Sequence, residues 1–127
     1  MNKIAQLEKR IAYLEKVSSL EEFRKEAIKE FLKETWLKEW ATEVLGREVL
    51  EVAIIGSVLD PKRFREDSDV DVAFSLKPMP GDNDRLREEI TEYMRMKLMR
   101  EPLFTTPDVG IFFGAINPLK GSKKKIV

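Results

Sequence analysis

The spacing of apolar residues changes at Val49, and a chain with two different hydrophobic periods has to combine helices with strands. Before this residue, apolar side chains recur every three to four positions, as they do along one face of a helix. After it, short β-branched runs predict strands at 49–55, 70–76 and 109–113, and a helical pattern returns at 83–100. We therefore expect one domain of the α/β (α+β) class, a small mixed β-sheet with helices packed on it.

Residues 1–18 predict an amphipathic helix that extends the domain at its N-terminus. Its apolar stripe consists of Ile4, Leu7, Ile11 and Leu14. A stripe of this length is too short for a stable coiled coil alone, so we expect it to pack on the second helix or to contact a partner protein or a second copy of the chain.

A second helix is expected from about Leu20 to Leu45, with Ser18 and Ser19 as its N-terminal cap and Gly46 as its stop. Its buried face is predicted to consist of Leu20, Phe23, Ala27, Ile28, Phe31, Leu37, Ala41 and Val44 or Leu45. Trp36 and Trp40 lie four residues apart on a neighbouring stripe, which either packs under the sheet or forms an exposed contact surface.

The second half of the chain contains two further local signals. Asp82 is expected to cap the helix at 83–100. The segment 120–125 is predicted to be a basic, frayed tail. Its lysines are Lys120, Lys123, Lys124 and Lys125. A nucleic-acid-binding role would depend on these lysines alone, so we do not expect nucleic acid as a partner.

Composition excludes several kinds of chemistry. The chain has 127 residues, a formal net charge of zero, no cysteine and no histidine, which removes disulfides, zinc fingers, thiol nucleophiles and histidine-based triads. Carboxylates, hydroxyls, lysines and arginines remain for chemistry. Charged residues make up 36% of the chain, a fraction typical of thermophile proteins. No apolar run approaches the ~20 residues of a membrane span, so we expect a cytoplasmic protein.

Asp69 and Asp71 form an Asp-x-Asp arrangement at the head of the second predicted strand. Because side chains alternate along a strand, both carboxylates are expected on the same side of the sheet, where they repel each other. A hard cation such as Mg²⁺ relieves this repulsion, and proteins often hold it with one or two carboxylates and phosphate oxygens. A solvated acidic turn is the alternative interpretation of this pair.

Gly56 and Ser57 follow the first predicted strand. A glycine allows the backbone to approach a ligand closely, and a serine hydroxyl can donate to a phosphate oxygen. This dipeptide has little meaning alone, but here it precedes Ser68, Asp69 and Asp71 by about a dozen residues.

The combination resembles the signature of the DNA polymerase β type nucleotidyltransferase superfamily, and in particular its minimal, antitoxin-like members. Gly56, Ser57, Ser68, Asp69 and Asp71 match that signature directly, and Val72 replaces the usual leucine. The resemblance implies a nucleotidyltransferase fold over 19–127. It also implies a third carboxylate on a later strand, for which Asp108 is the acidic residue in place, although a turn aspartate would explain it as well.

One departure concerns the phosphate-binding residues. Many small members have an arginine soon after the Gly-Ser, whereas this chain has Val58, Leu59 and Asp60 there. Three basic residues follow and are candidates to replace it, unless they only form a solvated surface: Lys62, Arg63 and Arg65.

The resemblance implies a reaction in which Asp69, Asp71 and Asp108 hold Mg²⁺ or Mn²⁺ and a nucleoside monophosphate moves from ATP to a hydroxyl acceptor. In small proteins of this type the acceptor is often a partner protein such as a HEPN-domain toxin. The alternative is a catalytically weak relative that acts as a protein-binding or dimerisation module through its N-terminal helix.

Overall fold

The computed structural model describes residues 19–119 and 121–127, together with Glu8. The predicted N-terminal helix and Lys120 therefore lie outside the described residues, apart from Glu8. The described chain contains helices α1 (Leu20–Leu32), α2 (Leu37–Leu45) and α3 (Asp84–Leu98). Its strands are β1 (Val49–Ile55), β2 (Asp71–Leu76), β3 (Asp108–Phe113) and β4 (Lys124–Lys125). The expected α+β class with a small mixed sheet is confirmed.

The sheet has the order β3-β2-β1-β4. Strand β1 pairs antiparallel with β2, and β2 pairs parallel with β3. The parallel pair is possible because α3 carries the chain back between the two strands. In this register, three small residues form one row across the sheet: Ala53, Ala73 and Gly110.

The two faces of the sheet differ. One face packs against the helices, with residues such as Ile54, Val72 and Phe74 fully buried against Ala27, Phe31, Ala41 and Met94. The opposite face carries a small cluster of Ala53, Ala73 and Ile116, with Ile55 and Phe112 partly buried beside it. Trp36 and Trp40 contact each other edge to face and are partly buried against the main core, which favours the packed interpretation over an exposed contact surface.

The single helix expected between Leu20 and Leu45 is two helices, so this prediction was wrong. Phe31 and Leu37 are both buried, yet in one continuous helix residues six apart point about 120° away from each other. The chain leaves α-helical geometry after Leu32, where Lys33 and Glu34 donate to Glu30 and Phe31 carbonyls in tight turns. This break lets both helices turn an apolar face toward the sheet.

The helix ends agree with the sequence at two places and differ at one. Ser19 caps α1 by accepting from the Glu22 amide at 3.1 Å, and Gly46 ends α2 in the left-handed conformation, as expected. Asn83, and not Asp82, caps α3. Asp82 instead forms a paired ion contact with Arg47 at 2.9 Å, and the pKa of its carboxyl is lowered chiefly by that hydrogen bond.

The basic segment near the end of the chain is not frayed, contrary to the prediction. Lys124 and Lys125 form β4 against β1, opposite Ile54 and Ala53. Ile126 is 8% exposed, and its amide donates to the Val52 carbonyl at 2.8 Å. The lysine-rich sequence did not predict this pairing, because the lysine charges point outward to solvent. The backbone and Ile126 hold the segment to the sheet.

No helix in the described part of the chain combines the length and apolar character required to cross a bilayer.

Candidate functional site

Asp71 and Asp108 are neighbours at one end of the sheet. Asp71 is the first residue of β2, Asp108 is the first residue of β3, and the two are register partners in the parallel pair. Parallel register partners direct their side chains to the same face, and neighbouring strands lie ~4.8 Å apart. The two carboxylates therefore share the face opposite the helices, next to the row of small residues.

Gly56 approaches the Asp71 side chain closely. A Cβ atom added at Gly56 would lie 2.1 Å from Asp71 Oδ2, and the Gly56 backbone has a φ of 85°, which favours glycine. The turn after β1 therefore presses its backbone against the Asp71 carboxylate. Glycine is therefore required here for two reasons: the positive φ of the backbone and the close approach to Asp71.

The pKa of Asp71 is raised to about 6, first by burial and then by the negative charges of Asp108 and Asp69. Asp69 itself is exposed just before β2. The structure thus brings the three predicted aspartates into one electrostatic cluster. A cation at this position would relieve the repulsion that raises the pKa.

Arg95, a residue that the sequence analysis did not identify, holds Asp108. Its Nε donates to Asp108 Oδ1 at 2.9 Å, and the Val109 amide donates to the same oxygen at 2.9 Å. Nη2 of Arg95 lies 2.8 Å from this oxygen in an ion pair, and Nη1 pairs with Glu92. Three nitrogen atoms thus surround Oδ1, and no described residue donates to Oδ2. The signal available in sequence was a cation in the last turn of the helix that precedes β3.

The two predicted serines occupy different surroundings. Ser57 begins a short 3₁₀ turn immediately after Gly56, and its hydroxyl makes no hydrogen bond within the described chain. Ser68 Oγ accepts from the Arg65 amide at 3.0 Å and so stabilises the turn that leads to Asp69. Ser57 is the serine placed to meet a ligand.

The three basic candidates also differ in what they contact. Arg65 donates to the Lys62 and Phe64 carbonyls, and Lys62 is exposed with its amide bonded to Asp60. Arg63 pairs with Asp60 at 3.0 Å and lines a cavity that Gly56 also lines. Of the three, Arg63 is the cation that lines this cavity together with Gly56.

That cavity has a volume of about 740 Å³, within the usual range of ligand sites. Its apolar lining includes Ile55 and Phe112, and its cations are Arg63 and Arg87. It extends along β3, between α3 and the segment 117–119.

The acidic side chains around Asp71 are the candidate ligands for a metal ion. Within the described residues, no group of three or more acidic side chains has the arrangement that holds a metal ion by itself. Asp69 and Asp71 supply hard oxygen donors, and no described cation pairs with Asp71, whose pKa is raised first by burial and then by the charges of Asp108 and Asp69. These residues fit Mg²⁺ held by one or two carboxylates with phosphate oxygens as further ligands.

No family model, no curated protein and no solved structure matches this chain.

Proposed function

We propose that the protein is a Mg²⁺-dependent nucleotidyltransferase that transfers AMP from ATP to a hydroxyl acceptor. The observation that supports it most is the position of Asp71. Its half-buried carboxylate faces Asp108 and Asp69, and the Gly56 backbone lies against it. A structural aspartate in such surroundings would be expected to have a cationic partner, and Asp71 has none among the described residues.

The residues divide the work as follows. Asp69 and Asp71 hold Mg²⁺, which when bound neutralises charge on the transferred phosphate and the leaving pyrophosphate. The hydroxyl of Ser57 and the amides of its turn bind phosphate oxygens, and Arg63 adds a positive charge beside them. Each of these groups lies beside Gly56 or Asp71.

Asp108 positions and deprotonates the acceptor. Arg95 occupies Oδ1, so Oδ2 takes the proton of the acceptor hydroxyl. The hydroxyl oxygen forms a bond to the α-phosphorus, the bond between that phosphorus and the bridging oxygen to the β-phosphate breaks, and pyrophosphate leaves. In keeping with the sequence resemblance, we propose a partner protein of the HEPN class as the source of this hydroxyl.

Labelled ATP tests this proposal. The protein is incubated with Mg²⁺, a cell extract and ATP carrying label in either the α- or the γ-phosphate. We expect wild-type protein to transfer label from α-labelled ATP only, since the γ-phosphate leaves with pyrophosphate. Asp71→Asn should abolish transfer, and Asp67→Asn, an exposed carboxylate in the preceding turn, should leave it unchanged.

Two results would contradict the proposal. Transfer of the γ-label above the level of the extract alone, and dependent on the added protein, would indicate a kinase reaction. Equal labelling by wild type and Asp71→Asn would remove Asp71 from the chemistry.

A further inference from the structure

The outer edge of β3 has no backbone partner in the described part of the chain. Asp108 and Gly114 amides donate to Val70 and Leu76 of the neighbouring chain segment. Because hydrogen bonding alternates along a parallel strand, the even-numbered residues of β3 face β2, and Val109, Ile111 and Phe113 direct their N–H and C=O groups outward. The Val109 amide donates to Asp108 Oδ1, but no described group bonds the Ile111 or Phe113 amide.

This edge lies in the 740 Å³ cavity, which four consecutive β3 residues, Val109 to Phe112, line. Unpaired edge strands in other proteins are usually short, covered or charged, because they can recruit another strand. Here the unpaired groups of Ile111 lie inside a concave site. A site of this shape suits an extended chain.

The walls of the cavity have different chemistry. On the α3 side, Arg87 and Thr91 line the cavity, and their spacing of ~6 Å along the helix resembles the ~6.6 Å of two strand residues. Arg95 follows four residues later, outside the cavity lining. Arg95 is held by Asp108, whereas Arg87 pairs only through Nη2 with the exposed Asp84 and lines the cavity. On the other side lie Phe112 and Leu119, and Leu119 is fully exposed.

We propose that an extended peptide binds along the outer edge of β3 by strand addition, with alternating acidic and apolar side chains. Its backbone pairs with Ile111 and Phe113, as in other cases of strand addition. Its acidic side chains face Arg87 on the α3 side, and its apolar side chains pack on Phe112 and Leu119. This proposal depends on the β3 edge and does not require the nucleotidyltransferase reaction.

The probe is a fluorescein-labelled peptide of three Glu-Val repeats, added to the full chain. Binding is followed by fluorescence anisotropy, and amide exchange is followed by NMR. We expect the peptide to bind and to slow exchange of the Ile111 and Phe113 amides. A peptide of three Lys-Val repeats should bind at least tenfold more weakly, because its charges oppose Arg87.

Backbone methylation tests the mode of binding. Only alternate amides of an added strand face β3. One peptide is N-methylated at every Val and another at every Glu, and we expect only one of the two to lose more than tenfold in affinity. Equal affinities of the two methylated peptides would overturn strand addition.

Two arginines of α3 test the charge contribution. Arg87→Glu should weaken peptide binding about fivefold to tenfold, as expected when an exposed ion pair becomes a repulsion. Arg85→Glu is the matched control, because Arg85 lies in the same helix in a similar exposed ion pair but does not line the cavity. Equal losses in the two variants would overturn the assignment.

The same experiment distinguishes a peptide from two other occupants of the β3 edge, ATP and a second copy of the chain. Protection of the Ile111 and Phe113 amides by ATP alone, or by self-association at high protein concentration, would assign the edge to that occupant and overturn the peptide proposal. Failure of the Glu-Val peptide to bind at millimolar concentration would do the same.

Discussion

Asp71 and Gly56 form a close contact in which backbone and side chain constrain each other. The positive φ of Gly56 is one requirement, and the 2.1 Å separation that an added Cβ would have from Asp71 Oδ2 is a second. Gly81 has a similar φ of 92° but no atom within 4 Å of an added Cβ. The two glycines therefore share a positive φ, and Gly56 differs by its close contact with Asp71 and its ψ of −165°.

We expect Gly56→Ala to destabilise the protein more than Gly81→Ala. The Gly81 variant places an alanine at a positive φ, which costs about 1–2 kcal/mol. The Gly56 variant also has a ψ of −165°, a combination nearly confined to glycine, and it must displace the Asp71 carboxylate, so its free energy of unfolding should fall by at least about 2 kcal/mol more. Urea denaturation measures both values. Equal losses would show that the contact with Asp71 is not required.

The raised pKa of Asp71 predicts a pH dependence of stability. A carboxyl with a folded pKa of about 6 and an ordinary value of 3.8 binds more protons in the folded than in the unfolded state between those values. Its contribution to stability therefore falls as the pH rises from 4 to 6 and stays low above 6. A variant without the Asp71 carboxylate should not lose this stability as the pH rises from 4 to 6.

Asp71→Asn should raise the unfolding free energy at pH 7.5 by about 1–2 kcal/mol, since solvent reaches this half-buried carboxyl and screens part of the shift. Near pH 3.5 the variant should have the stability of wild type. Urea titrations across this pH range measure the difference, with Asp67→Asn as the control. A difference that does not depend on pH would mean that Asp71 keeps an ordinary pKa.

Strand β4 shows how a weak sequence signal becomes an element through its neighbours. It has only two residues, both lysines, but the flanking Ile126 is buried and the Val127 carbonyl accepts from the Val52 amide at 2.9 Å. Lys123 adds an ion pair with Glu51 at 2.9 Å. The segment closes the β1 edge of the sheet.

We expect Ile126→Ala to lower the unfolding free energy by about 2–3 kcal/mol, as for other buried aliphatic truncations near a sheet edge. Leu119→Ala removes a fully exposed side chain and should leave stability unchanged. Urea denaturation of both variants at pH 7 checks this. A frayed tail would give the same small effect for both substitutions.

At the scale of the whole molecule, the hydrophobic core and the candidate site lie on different sides of the sheet. Its helix-covered face holds the main core, its other face carries Asp71 and Asp108, and the cavity lies along the β3 edge. A ligand that binds only the folded protein stabilises it by mass action. A ligand that binds at this site should therefore raise the free energy of global unfolding.

We expect Mg²⁺ together with ATP to raise the melting temperature of the wild-type protein. The double variant Asp69→Asn, Asp71→Asn should be at least as stable as wild type without ligand, because carboxylate repulsion is removed, and should lose the response to Mg²⁺ and ATP. Differential scanning calorimetry measures both effects. A wild-type protein that does not respond to millimolar Mg²⁺ and ATP would exclude the proposed site.

Local patterns were sufficient for most of the fold. The range of β1, the Ser19 cap and the Gly46 stop were predicted correctly, because strand alternation and helix capping depend on near neighbours in sequence. The break after Leu32 was not predicted, since every residue there is compatible with helix. It follows from the need of two helices to cover one sheet.

The residues of the candidate site also fall into those that the sequence predicted and those that only the structure identifies. Gly56, Ser57, Asp69 and Asp71 were identified as candidates from residue types and spacing, because a motif reports which groups are available. Asp108 became a candidate only through the family resemblance. Arg95 on Asp108, and the choice of Arg63 among three basic residues, could not be identified from the sequence. These contacts depend on how α3 and the turn after β1 pack against the sheet.

The sequence by itself therefore determined the class of fold, the positions of most elements and the inventory of carboxylates and hydroxyls. Only the tertiary structure decided that Asp71 and Asp108 are register partners, that β4 pairs with β1 and that the β3 edge lies open in a cavity. The physical reason is range: periodicity and capping are set within a few residues, whereas strand order, register and burial depend on contacts between segments far apart in the chain.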